Sequence, residues 1–330
     1  MYIIHKYEKS DKEIWDSFVI DKSINGTFLQ TKQFLSYHPE DRFVDDSIMI
    51  YDDKKLIAVV PGCIIRDEKS SVYYSHKGTS YGGPIISSNY YHSEQVVVII
   101  RTIDEYLREE FDKAIFKITP DLFTKEKSDL LQYAFQYCGY SNYTELSTYV
   151  DLDNIHDDIC SSFDRNKKRN IRKCIELGLE FRELQSDEEI VTFHKLLSIN
   201  LGKFGAKPIH SVSELFNLKH NIAPGSIKFF GAFLDKDIVA AGMMFDFDGV
   251  VFHAQNLSYD YRDNEYSPIT FLYYKVIEYA KCNGYKYLSW GISTEDCGRK
   301  LNFGLIRNKE SYGSKYQVNR TFYKNFEDEL

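Results

Sequence analysis

Two stretches of the chain read as β-hairpins. Residues 47–65 and residues 227–245 are β-rich apolar runs, each broken by an Asp/Lys cluster (Asp52-Asp53-Lys54-Lys55 and Asp235-Lys236-Asp237) of the kind that makes a hairpin turn. Leu56 and Ile238 hold equivalent places, 182 residues apart. Further on, each hairpin is followed by a helical pattern and then a strand, over residues 103–118 in the first half and 276–291 in the second. Glu105-Tyr106 matches Glu278-Tyr279 and Lys113 matches Lys286, both at an offset of 173. Two separate offsets of this size predict one α/β (α+β) domain present twice.

A polar, acidic stretch at 151–158 reads as the boundary, giving units 1–152 and 153–330. A helix is expected directly after it, over residues 162–178. Phe163, Ile171, Cys174, Ile175 and Leu177 fit one buried stripe, and Gly178 is the stop. The same helix holds six basic residues between Arg165 and Lys173 and no acid. Such a run is a solvated face or a phosphate contact, with Arg169 and Arg172 the candidates for the second role. Near the other end, Pro268 sits where a first helical turn tolerates it and opens a long helix.

The composition narrows the class. Aromatics are 15% and apolar residues 43% of 330 residues, too many for a disordered chain. The formal charge of −8 argues against a DNA or general nucleic-acid binder. No apolar run reaches the ~18 residues of a membrane helix, and the first residues show no apolar signal core, so a cytoplasmic protein is expected, with peripheral membrane contact left open. The six cysteines include no CxxC pair and read as free thiols, mostly buried. The nine histidines show neither HExxH nor HxxxH spacing, so no metal site is expected. Neither GxxxxGK[ST] nor GxGxxG is present.

Gly78-Thr79-Ser80-Tyr81-Gly82 matches the GxSxG elbow of serine hydrolases. That elbow needs a helix directly after the serine, and Gly83-Pro84 cannot supply one in time. A Gly-rich turn between strands fits better, with bare backbone that lets a ligand come close. The most informative stretch is residues 290–313, a strand end followed by polar, Gly-rich chain, where α/β sheets tend to place sites.

Several separated pieces carry a family likeness. They are Ser293-Thr294-Glu295, Gly298, Leu301-Asn302, Gly304-Leu305-Ile306, Lys309-Glu310 and Gly313, with His253-x-Gln255 and Lys207-Pro208-x-His210 upstream. His76-x-Gly78 and Tyr81-Gly82-Gly83 in the first half, and Arg169-Asn170-Ile171-Arg172-Lys173 just after the boundary, belong to the same set. Together they resemble Fem-like (FemAB-type) peptidyltransferases of the GNAT acyltransferase superfamily, and within it a bacterial group found with cell-surface polysaccharide genes. The resemblance covers nearly the whole chain. It implies two tandem GNAT domains, each a mixed central sheet flanked by helices, the first cradling the acceptor and the second holding donor and catalytic elements.

The resemblance implies transfer of an acyl or aminoacyl group to an amine of a cell-envelope glycan, amino-sugar nucleotide or peptidoglycan precursor. The donor is acyl-CoA or aminoacyl-tRNA, without a metal, and the acceptor is a small or lipid-linked glycan precursor. Lys309 is then expected to stabilise the charge developing on the carbonyl oxygen. Glu295 or His253 would take the amine proton. His76, Tyr81, Gly82, Gly83, Gln255 and Asn302 are candidate substrate contacts beside Arg169 and Arg172. One departure bears on the donor. Acetyl-CoA users carry a Gly-rich loop before the long helix that holds pyrophosphate on backbone N–H groups. This chain has Arg262-Asp263-Asn264-Glu265-Tyr266-Ser267 there, and its acids would repel pyrophosphate. An acetyl-CoA-dependent amino-sugar N-acetyltransferase and a non-catalytic double-GNAT scaffold remain the alternatives.

Overall fold

The computed structural model describes residues 2–39, 41–66, 70–155, 158–261 and 266–326. The chain forms two compact units, residues 1–145 with 318–330, and residues 146–317. This division differs from a single cut at 152/153, because the end of the last strand goes with the first unit.

The first unit contains β1 (Ile3–Lys6), α1 (Lys12–Ser17), α2 (Lys32–Leu35), β2 (Val44–Asp45), β3 (Ile48–Asp52), β4 (Lys55–Val60), β5 (Cys63–Arg66), β6 (Ser71–Ser75), β7 (Ile85–Ile86), α3 (Ser93–Leu107), β8 (Lys113–Lys117), α4 (Asp129–Tyr137) and the start of β9 (Ser141–Asp151). The expected hairpin is β3–β4, paired from Ile48↔Val60 to Asp52↔Lys55. Pro61-Gly62 then breaks the run. Pro61 has no N–H for a ladder, and a Cβ on Gly62 would lie 2.1 Å from the Tyr73 hydroxyl. The chain resumes as β5, antiparallel to β6. β6 pairs in parallel with β8, from Val72↔Lys113 to Ser75↔Phe116, and α3 makes the crossover. α3 starts ten residues before the expected segment. It buries Val96, Ile99, Ile100, Ile103 and Leu107, one helical face, against Phe116, Phe135 and Phe322. Each such side chain contributes roughly 1.5–3 kcal/mol on burial.

The second unit contains α5 (Arg165–Glu176), β10 (Glu180–Glu183), α6 (Asp187–Gly202), α7 (Val212–Asn217), β11 (Ile227–Leu234), β12 (Asp237–Phe247), β13 (Val251–Tyr259), α8 (Pro268–Cys282), β14 (Tyr287–Ile292), β15 (Thr294–Glu295), β16 (Lys300–Leu301), α9 (Phe303–Glu310) and the start of β17 (Lys315–Asn325). Its strands run in the order β10-β11-β12-β13-β14, and β14 pairs in turn with residues 147–151 of β9. The second hairpin is β11–β12 and the second crossover is β13–α8–β14, again parallel. Pro268 occupies the first turn of α8 as expected.

Two expectations are corrected. On α5 the buried stripe is narrow. Phe163, Ile171 and Cys174 are buried, but Ile175 and Leu177 are exposed. Of the six free cysteines only Cys63 and Cys174 are buried; Cys282 and Cys297 are exposed, at a helix end and in a turn. The polar, Gly-rich chain after Trp290 has regular structure of its own. It forms the β15–β16 ribbon and α9, started by an Asn302 side chain that accepts the Leu305 N–H at 3.0 Å.

Candidate functional site

β13 and β14 pair only from Val251↔Tyr287 to His253↔Ser289. β13 then stays with β12 up to Tyr259, and β14 stays with β9 up to Ile292. Two neighbouring parallel strands therefore part within the sheet, at their carboxyl ends. Main-chain groups there have no partner strand and can meet an extended ligand.

A buried polar network lines the start of this gap. Lys309, on α9, is 3% exposed. Its Nζ donates to Gly291 O at 3.0 Å, Ile292 O at 2.7 Å and Ser293 Oγ at 3.0 Å. Burial brings its ammonium down to about 7. Gly291 takes a left-handed φ of +70°, and a Cβ there would sit 3.4 Å from the His253 ring. His253 Nδ1 lies 3.0 Å from Ser289 Oγ, which also accepts the Gly291 N–H at 3.3 Å. Which of the two donates in the His253–Ser289 contact depends on the ring tautomer. Burial first, and then the Lys309 charge, bring the His253 ring down to about 4, while a Gln255 side-chain hydrogen bond opposes them. The ring is therefore neutral at physiological pH, with Ser289 and Gln255 as partners.

Glu295, on the β15–β16 ribbon, lies next to Asn302, the cap of α9. Glu295 is exposed, pairs with Lys300 at 2.9 Å and accepts from Asn302 Nδ2 at 3.1 Å. The Lys300 and Asn302 hydrogen bonds hold its carboxyl below the usual value. Its recorded partners do not include Lys309 or His253. Arg169 and Arg172 are exposed on α5. The basic residue of that helix that turns inward is Lys167. Its Nζ donates to Asn308 Oδ1 at 2.7 Å and lies 4.8 Å from the Tyr312 ring centre. Tyr312 stacks on Tyr273 at 4.6 Å, and Trp290 packs 4.5 Å from Tyr273, so Trp290 is core. Residues 262–265, the degenerate loop, lie outside the described residues. A cavity of about 1040 Å³ in this unit has a lining that includes Lys195, Lys203, Asp235, Asp237, Asp260 and Tyr261.

In the first unit the candidate residues line a closed turn. After the parallel β6–β8 ladder ends, the chain folds back and Gly82 N–H donates to Lys117 O at 2.7 Å. A Cβ on Gly82 would lie 1.8 Å from Ser75 O, and Gly83 N–H donates to Ser75 Oγ at 2.8 Å. The bare backbone of Gly82 is thus filled by this unit's own main chain, not left open for a ligand. The turn runs on into Pro84 and β7, so Ser80 is not on a strand-to-helix elbow. Tyr81 is buried against Phe123, 5.3 Å between ring centres. His76 is buried too. Its Nδ1 accepts the Gly78 N–H at 2.9 Å, and burial brings the ring down to about 4.

His76 also borders a cavity of about 560 Å³ with Tyr7, Lys32, His38, Phe43 and Asp45. Lys32 is 5% exposed. It meets Asp45 at 2.5 Å and Ser47 Oγ at 2.8 Å, and lies 3.9 Å from the Tyr7 ring centre. Burial works against the Asp45 carboxylate, but Lys32 and Ser47 together hold its carboxyl below the ordinary value. Sequence reasoning missed Lys32, His38 and Asp45. A lysine in the short run Thr31-Lys32-Gln33-Phe34 carries no local sign that it is buried. It also missed Ser289 and Gly291, which only the strand pairing places next to His253.

Among the described residues no group of three or more His, Cys, Asp or Glu could hold a metal ion, and no helix is long and apolar enough to cross a membrane.

Comparison with known proteins agrees with this architecture. Residues 161–297 match the acetyltransferase (GNAT) domain family. The chain is 25% identical to the aminoacyltransferase FemB of Staphylococcus epidermidis over 206 residues, covering 56% of this chain and 48% of FemB. It spans about half the length of the curated relatives it matches. Among solved structures, FemX superposes with a TM-score of 0.71 at 13% identity, covering 96% of each chain. A tandem GNAT protein from the clavulanic acid biosynthesis pathway superposes with a TM-score of 0.59 at 8% identity, covering 99% of each chain. The second unit thus matches the GNAT domain family over residues 161–297, the chain has the fold of FemX and of a tandem GNAT protein, and its sequence is similar to that of a Fem aminoacyltransferase.

Proposed function

We propose that the protein transfers an aminoacyl group to an amine of a cell-envelope glycan, amino-sugar nucleotide or peptidoglycan precursor on the cytoplasmic side of the membrane. The observation that carries this reading is the buried Lys309 cation at the carboxyl end of β14, where the parallel strands part. A carbonyl oxygen entering that gap gains negative charge when the amine attacks, and a desolvated cation stabilises it more strongly than one in water. In the arrangement described, Lys309 spends its three donor directions on Gly291, Ile292 and Ser293. It therefore acts through those peptides or leaves one of them as the tetrahedral state forms.

His253 rather than Glu295 is the residue we place beside the reacting groups. Its neutral ring can hold the attacking amine or relay its proton, whereas Glu295 is occupied on the surface ribbon. The amine loses one proton and the departing oxygen or sulfur gains one, so the transfer balances without a metal. In the first unit, the Lys32–Asp45 cavity with His76 is the place we assign to the acceptor.

The aminoacyl donor is favoured over acyl-CoA on charge. Asp263 and Glu265 stand in sequence where a Gly-rich pyrophosphate loop would be, and the 1040 Å³ cavity of this unit is lined by Asp235, Asp237 and Asp260 against two lysines. The FemB relative, an aminoacyltransferase by name, points the same way. The test supplies a labelled acyl group on CoA or on tRNA, with UDP-amino sugars or peptidoglycan precursors as acceptors. Label moving from tRNA to an acceptor amine, and lost in Lys309→Met, is the expected result. Transfer from acetyl-CoA alone would overturn the donor assignment, and transfer unaffected by Lys309→Met would remove Lys309 from it.

A further inference from the structure

In the second unit, the loop that follows α6 presents two bare apolar side chains. Phe204 is 82% exposed and Ile209 77% exposed, and Ile199 on the last turns of α6 is 50% exposed. No other side chains in the large apolar class are as bare as the first two among the described residues. The loop is held, not loose. Phe204 and Ala206 N–H groups both donate to Leu201 O, at 2.9 and 3.1 Å. His194 Nε2 meets His210 O at 3.0 Å, and Ser211 caps α7 in a reciprocal pair with Glu214. Both ends are braced, so the fold pays little entropy to keep Phe204 and Ile209 in water-facing positions.

Charge supplies the second observation. Between Glu189 and Glu214 the sequence has Lys195, Lys203 and Lys207 and no acidic residue, in a chain of net charge −8. Lys203 and Lys207 flank Phe204 and precede Ile209. The nearby acids Asp235, Asp237 and Asp260 line the adjoining cavity, along with Lys195 and Lys203.

We infer that this loop is an interfacial anchor that seats the second unit on a bilayer bearing anionic phospholipid. A loop of this size is far short of the ~800 Å² per partner that a stable protein interface needs. It suits shallow insertion instead, where Phe and Ile enter the acyl boundary and the lysines reach back to phosphate headgroups. The inference does not depend on which group the enzyme transfers, since it is read by binding alone.

The test is sedimentation of the full chain with vesicles of phosphatidylcholine, with and without phosphatidylglycerol. Binding is expected only when the anionic lipid is present, and is expected to weaken with salt. The double variant Phe204→Ser with Ile209→Ser is expected to bind at least ~10-fold more weakly. Lys203→Gln with Lys207→Gln should lose ~10-fold or more on the anionic vesicles. Ile14→Ser, an exposed apolar change in the first unit, is the control and should bind as the parent does. In Phe204→Trp, the indole emission should move to shorter wavelength on adding the anionic vesicles. Absence of binding to the anionic vesicles, equal binding to both compositions, or binding unchanged in the double serine variant each overturns the inference.

Discussion

The substitution Lys309→Met removes the buried ammonium while keeping a similar length of unbranched chain. In the fold the ammonium is lowered to about 7 from an ordinary 10.5. The unfolded chain therefore binds a proton that the folded chain has partly released between these two values. Stability then rises with pH across that window. At about 1.4 kcal/mol per pKa unit, going from pH 7 to pH 9 adds roughly 2 kcal/mol to the parent protein, and none of this arises from residue 309 in the variant. The assay is urea unfolding of the second unit at a series of pH values. Trp290 reports on that unit once Trp15, the other tryptophan, is replaced by Phe. At about 2 kcal/mol per molar of urea, the difference in midpoint between parent and Lys309→Met should change by about 1 M over the window. The opposing effect is also visible in the structure. Two carbonyls and a hydroxyl favour the charged form, and if they offset burial the lysine keeps its ordinary value. A parent–variant difference that does not change between pH 7 and 9 would refute the argument. Where the ammonium is the active form, the transfer rate should fall in the same window.

Three further outcomes follow from buried contacts. In the first unit, Lys324 is 6% exposed and ties Asp104 at 3.2 Å and Cys138 O at 2.9 Å, so Lys324→Met should cost about 3 kcal/mol, read by Trp15 fluorescence during unfolding. Gly82→Ala places a Cβ 1.8 Å from Ser75 O and should cost at least about 2 kcal/mol, with a lower melting temperature, because both atoms belong to main chain that cannot step aside. His76 and His253 are both lowered to about 4 from an ordinary 6.5. The unfolded chain protonates them first, so stability falls as pH drops from about 6.5 to 4, by up to about 3 kcal/mol for each. Histidine NMR titration should show the two rings neutral at pH 5.5, and rings titrating near 6.5 would contradict this.

Both hairpins and both crossovers were legible in the sequence because each is set by local pattern. An apolar run interrupted by Asp and Lys turns wherever it is placed, and Pro268 marks a helix start from its own geometry. The family likeness led to Lys309 and His253, and the structure places both by the β14 end. What stayed hidden depends on distant partners. Nothing in residues 318–325 says that they join the first unit's sheet. α9 is masked by Gly304 and by its charges, and shows itself only when Asn302 is seen to cap it. Ile175 and Leu177 have the spacing of a core face, yet α5 rests on α8 over a narrower strip. Lys32 reads as a surface residue until Asp45, Ser47 and the Tyr7 ring are found around it.

The two units differ in what happens at the carboxyl end of their parallel strand pair. Each unit has a parallel strand pair joined by a crossover helix, β6–α3–β8 in the first and β13–α8–β14 in the second. In the second the ladder stops at His253↔Ser289, and both strands run on without pairing to each other. In the first, β6 ends where its ladder ends. The chain turns back, and Gly82 takes the carbonyl of Lys117 and packs its bare Cα on Ser75. Divergence of the two copies thus follows from where the first of the paired strands stops. A strand that ends at its last ladder residue must turn there, and a glycine lets that turn fill the opening. A strand that continues to Tyr259 leaves the opening in place, with Lys309 and His253 beside it.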